Sequence, residues 1–108
     1  MKSAAHNALP RSARKALVKL GEDIQVARKK RRLSTASLAE RAFISRSTLY
    51  RVEQGDPTVT MGIYATILSI LGMAERLGDV ADRSDDTLGL DLEEGHLPKT
   101  IHNRRRSS

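Results

Sequence analysis

The chain has 108 residues, enough for one compact domain with tails, and it contains no cysteine, which excludes disulfides and thiolate metal sites. Apolar residues make up 39%, yet only Phe43, Tyr50 and Tyr64 are aromatic, so a core must be built from Leu, Ile, Val and Ala in packed helices. The net charge of +6 is segregated: residues 1–55 hold 13 Lys and Arg against 4 acids, residues 56–98 hold 2 against 9, and residues 99–108 are basic, a division that suits one polyanion-binding surface and a second surface of different purpose.

Residues 1–11 contain Pro10 and lack apolar periodicity, so they read as a mobile arm. From Ser12 the pattern is helical, with Leu17, Leu20, Ile24 and Ala27 on one face, and this helix ends near Lys30 in the basic run Lys29–Arg32. Ser34 caps a second helix, Thr35 to Ala42, whose inward face is Leu38, Ala39 and Ala42. After Phe43 and Ile44, Ser45 caps a third helix, Arg46 to Gln54, with Leu49 and Val52 inward and Gly55 as its left-handed stop. Asp56-Pro57 forms a turn. Thr60 caps a fourth helix, Met61 to Leu71, which carries Ile63, Ile67, Ile70 and Leu71 on its buried stripe. Gly72 breaks that helix, and a fifth, Ala74 to Ala81, points Leu77 and Val80 inward. Residues 82–87 are a polar linker, and Leu88, Leu90 and Leu92 alternate with the period of a short strand. Pro98 closes that segment before a basic tail holding Arg104, Arg105 and Arg106. The expected organisation is thus an arm (1–11), a helical domain (12–81), and an acidic linker with a short strand and basic tail (82–108).

Two short helices joined by a three-residue turn have the geometry of a helix-turn-helix, in which the second helix enters the DNA major groove. With Leu49 and Val52 inward, the outward residues of that helix are Arg46, Ser47, Tyr50 and Arg51. Arginine can donate two hydrogen bonds to guanine O6 and N7, and serine can bond any base edge, so these residues are the expected readers of sequence. The start of the second helix at Ser34 and Thr35, preceded by Lys29, Lys30, Arg31 and Arg32, is the expected phosphate contact.

The stretch Leu33–Pro57, LSTASLAERAFISRSTLYRVEQGDP, strongly resembles the helix-turn-helix of Xre/Cro-type phage repressors and bacterial regulators, and with its flanking helices the likeness covers residues 16–81. The resemblance implies an all-α, five-helix, lambda-repressor-like DNA-binding domain. It implies phosphate contacts at Ser34 and Thr35, base readers at Arg46, Ser47 and Arg51, and an ion pair between Arg28 and Glu53. The ion pair also makes physical sense, because a carboxylate beside buried Val52 needs a partner. Three positions depart from the family. Phe43 stands where glycine with positive φ is usual, so either the turn is shaped differently or the ring fills a gap. Thr35 replaces a glutamine, shortening the phosphate contact, and Asp56 replaces a commonly basic loop residue.

Residues 55–82 followed by LGLDLEEGHLPK are similar to HipB-like antitoxins. That resemblance implies a homodimer that represses its own operon and restrains a HipA-like Ser/Thr kinase, the alternative being a stand-alone Xre-family regulator. Because the apolar face of the fourth helix is wide, Tyr64, Ile67, Leu68 and Leu71 are expected to serve both core and dimer contact. Leu88, Leu90 and Leu92 either pack on their own domain or form a patch completed by a second protomer or a kinase.

No nucleophile motif or Gly-rich phosphate loop is present, and the carboxylate pairs Asp85-Asp86 and Glu93-Glu94 lie in linker-like sequence, so no enzyme and no cofactor is expected. His6, His96 and His102 lack ligand spacing, so no metal site is expected. No apolar run approaches the roughly 20 residues of a membrane span, and the N-terminus lacks the apolar stretch of a secretory signal. The expected partners are operator DNA and a second copy of the chain, in the cytoplasm and associated with the nucleoid.

Overall fold

The computed structural model describes residues 8–95, and within them it is all-helical. The helices are α1 (Arg11–Lys30), α2 (Thr35–Arg41), α3 (Arg46–Glu53), α4 (Met61–Ile70), α5 (Ala74–Gly78) and α6 (Thr87–Gly95), with a 3₁₀ turn at Arg83–Asp85. The chain divides after Leu77 into two compact units. Most of the arm, and the tail with His96, Pro98, His102 and Arg104–Arg106, lies outside the described residues; Arg11, expected in the arm, is instead the first residue of α1.

The first unit buries one apolar cluster. Ile24, Leu38, Leu49, Val52, Ile67 and Leu71 are fully buried in it, and Leu20, Ile63, Ile70 and Leu77 pack against it as half-buried residues. Three helices begin with the caps read from sequence. Ser34 accepts the Ser37 N–H, Ser45 accepts the Thr48 N–H and Thr60 accepts the Ile63 N–H, each satisfying a donor that the first turn leaves free.

Four helices end in one geometry. After α1, α2, α3 and α4, the chain turns through a residue of positive φ: Arg32 (54°), Phe43 (58°), Gly55 (74°) and Gly72 (81°). At each end the next residue's N–H reaches back five positions: Leu33 to Arg28 O, Ile44 to Ala39 O, Asp56 to Arg51 O and Met73 to Leu68 O. The positive-φ residue itself donates to a carbonyl three positions back. This is the Schellman arrangement, and it satisfies the last carbonyls of each helix. Glycine adopts it freely, whereas Arg32 and Phe43 carry strain. The Phe43 turn therefore keeps the geometry usual for glycine, and the ring, 94% exposed, fills no gap; both expectations for this position are corrected.

Glycine also sets how closely α1 approaches the end of α3. A Cβ at Gly21 would stand 2.6 Å from the carbonyl oxygens of both Val52 and Glu53, and one at Gly55 would stand 2.5 Å from the Leu17 carbonyl oxygen. Backbone therefore meets backbone at this crossing.

Two elements differ from the sequence reading. The fifth helix stops at Gly78 rather than Ala81, which leaves Val80 exposed rather than inward; glycine is a poor helix former and ends the run. Leu88, Leu90 and Leu92 belong to helix α6, not to a strand. Asp86 starts this helix by accepting the Gly89 N–H on its side chain and the Leu90 N–H on its carbonyl. Leucine carries no particular strand preference, and three of them in alternation do not outweigh such a cap. On a helix, Leu88 and Leu92 share a face that Leu90 does not, and all three are exposed.

Candidate nucleic-acid interface

α2 and α3, joined by Ala42-Phe43-Ile44-Ser45, form the bihelical unit. Leu49 and Val52 are wholly buried, which turns the opposite side of α3 outward. Arg46, Ser47 and Tyr50 are exposed on that side. Among the described residues Arg46 makes no ion pair, so its donors are available.

α3 is held from beneath by a buried ion pair. Arg28 Nε donates to Glu53 Oε2 at 2.8 Å, and Arg28 Nη2 donates to Oε1 at 3.2 Å. Gln25 Nε2 donates to the same Oε1 at 3.2 Å, and Arg28 Nη1 donates to the Leu33 carbonyl at 3.0 Å. The side chains are 8% and 4% exposed. This cluster joins α1 to the last residue of α3 and to the residue preceding the α2 cap. It compensates the desolvation that would make either charge costly alone.

Arg51, expected as an outward reader, is tied along one edge by the loop that follows α3. Its Nε donates to Asp56 Oδ2 at 2.9 Å and its Nη2 to Thr58 Oγ1 at 2.6 Å, leaving the side chain 43% exposed. The loop supplies these acceptors because Asp56 opens an Asx turn: Oδ1 accepts the Thr58 N–H at 2.8 Å and the Thr58 hydroxyl at 2.7 Å. The Thr58 N–H, with Arg51 and the Thr58 hydroxyl next, holds the Asp56 carboxyl down at about 2. Tyr64, pushed up to about 12 mainly by burial, donates its hydroxyl to the Asp56 carbonyl at 2.8 Å and ties the loop to α4. The sequence reading missed Thr58 and Gln25. Asp-Pro-Thr is an Asx-turn signature that could have revealed Thr58; no short-range signal marks Gln25.

The basic run leads into α2. Lys29, Lys30, Arg31 and Arg32 are exposed, as are Ser34 and Thr35. They differ in freedom, because Arg31 Nη1 is already bonded to the Ala27 carbonyl at 2.9 Å and Arg32 is the strained turn residue. Tyr64 and Leu68, read as sharing core and dimer contact, are core residues about 5% and 6% exposed, and so offer a partner little surface. They floor an apolar groove of about 230 Å³ that Leu17, Val59 and Met61 also line. Among the described residues no helix is long and apolar enough to cross a membrane.

Comparison with known proteins agrees with this geometry. The family model of a helix-turn-helix domain matches residues 19–79, which span α1 from Lys19 through α5. No curated protein and no solved structure matches the chain. With more than half of its residues inside that match and the bihelical unit at its centre, the chain belongs to the helix-turn-helix domain family, as a DNA-binding protein of the Xre-like kind.

Proposed function

We propose that this protein is a transcriptional repressor that reads double-stranded DNA in sequence, with α3 in the major groove. The observation that carries the reading is the two-sidedness of α3: Leu49 and Val52 are sealed in the core, while Arg46, Ser47 and Tyr50 stand exposed. Arg46 and Ser47 near the N-terminus of α3 contact base edges, as does Arg51. Ser34, Thr35 and the run Lys29–Arg32 contact phosphates. The protein acts as a homodimer in the cytoplasm, on the nucleoid, with two reading helices about 34 Å apart on a pseudo-palindrome. A salt titration of a selected duplex against its scrambled counterpart tests this. A preference that persists as salt rises is expected, with Lys30→Ala weakening both duplexes and lowering the salt slope by about 0.9. Equal affinity for both duplexes removes the sequence-reading claim.

The repressor is further proposed to be the antitoxin of a HipBA-like pair, restraining a HipA-like kinase. Support comes from the acidic second unit, where Leu88, Leu90 and Leu92 are exposed among Asp85, Asp86, Asp91 and Glu93. A kinase-like reading frame beside the gene, and co-purification of its product, is the expected result. A chain truncated after Asp82 should lose the kinase; equal recovery would show that the acidic segment is not the contact. Absence of such a frame leaves a stand-alone regulator.

A further inference from the structure

The Arg51 cluster is more elaborate than neutralising a surface charge requires. A guanidinium offers five N–H donors fixed in one plane. Two of them, Nε–H and the neighbouring Nη2–H, lie along one edge and are taken by Asp56 and Thr58. The acceptors are themselves immobilised: Asp56 Oδ1 is bonded twice by Thr58, and the Asp56 carbonyl is bonded by Tyr64, which is buried in α4. The adjoining edge, which shares Nη2, keeps a parallel pair of donors that no acceptor among the described residues takes, one on Nη1 and one on Nη2. Such a pair matches two acceptors side by side, as on guanine O6 and N7. A flexible, unpaired arginine would satisfy any phosphate equally well; one beside an ionised carboxylate is a weaker phosphate ligand.

Resting on the proposed reading of α3, we infer that Asp56 and Thr58 are specificity-determining positioning residues. They hold Arg51 so that its free edge addresses one guanine, and the Asp56 charge suppresses its attraction to the backbone. Preorganising the side chain removes an ordering cost from the matched complex. The same carboxylate penalises complexes in which Arg51 would swing to a phosphate.

The test compares base preference, position by position, for the wild type, Arg51→Ala, Asp56→Asn, Thr58→Val and Thr58→Ser on duplexes selected from a random pool, with folding monitored by denaturation. Asp56→Asn and Thr58→Val should each lose about tenfold in discrimination at one guanine, the position that Arg51→Ala also relaxes, since a good bidentate contact is worth about that much. Thr58→Ser, which keeps the hydroxyl, should restore it. Asp56→Asn should bind scrambled duplex more tightly, with a salt slope steeper by about 0.9, because the freed arginine takes a phosphate. A purely structural cluster would instead weaken every duplex alike, and that outcome overturns the inference. So does an unchanged preference in Arg51→Ala; if Arg46→Ala still relaxes a position, the reading of α3 survives that failure. A wild type without any preference removes both.

Discussion

Replacing Glu53 by alanine deletes a carboxylate that accepts three hydrogen bonds, two from Arg28 and one from Gln25. Arg28 then remains 7% exposed, retaining only its bond to the Leu33 carbonyl, so its charge is left buried and uncompensated. Breaking a buried pair from one side costs about 3–5 kcal/mol. A unit of this size has about 4–10 kcal/mol of stability in total, and each kcal/mol lost lowers Tm by about 4–8 °C. Glu53→Ala should therefore lower Tm by about 12–40 °C and leave the domain marginal. Removing both charges with shape-matched apolar residues, Arg28→Met with Glu53→Leu, should cost far less than either truncation suggests, about 0–2 kcal/mol. Urea denaturation of the wild type, Arg28→Met, Glu53→Leu and the double variant measures the coupling directly. A coupling of about 2 kcal/mol or more is expected. Two single losses that add, each below about 1 kcal/mol, would mean that the pair behaves as a solvated surface bridge and that the clamp on α3 is not real.

The remaining predictions use other parts of the first unit. Gly21→Ala should destabilise by more than about 2 kcal/mol, because its Cβ meets backbone that cannot rotate away; urea midpoints measure it. Phe43→Gly should stabilise by up to about 1 kcal/mol by releasing left-handed strain from an exposed residue, the gain being reduced by the extra freedom of the unfolded chain. Asp56, depressed from 3.8 to about 2, contributes stability that is complete above pH 4 and lost as pH falls toward 2. Its worth is about 1 kcal/mol after allowing for a partner side chain that is 43% exposed, and an acid titration of Asp56→Asn should lack that limb. Tyr64, raised from 10.0 to about 12, contributes stability that is complete below pH 10 and lost as pH rises through 12; ultraviolet phenolate absorbance in the wild type and Tyr64→Phe follows it.

What the sequence by itself determined was whatever depends on near neighbours along the chain. The caps at Ser34, Ser45 and Thr60, the stop at Gly55, and the burial of Leu49 and Val52 follow from three- and four-residue spacings. The Arg28–Glu53 pair, 25 positions apart, was reachable only through family likeness, because no local signal joins its two members. Short or weakly periodic segments were misjudged: three alternating leucines do not outweigh the Asp86 cap, and Val80 lies beyond the end of α5. Only the tertiary structure decided that Arg51 is bound along one edge. The loop returns Asp56 and Thr58 to the helix it has just left, and Tyr64 of α4 fixes how far it returns. The Asp-Pro-Thr turn is legible in the sequence, but how closely it folds back on Arg51, and so which donors of the arginine remain free, depends on its packing against α4, which local residue order does not encode.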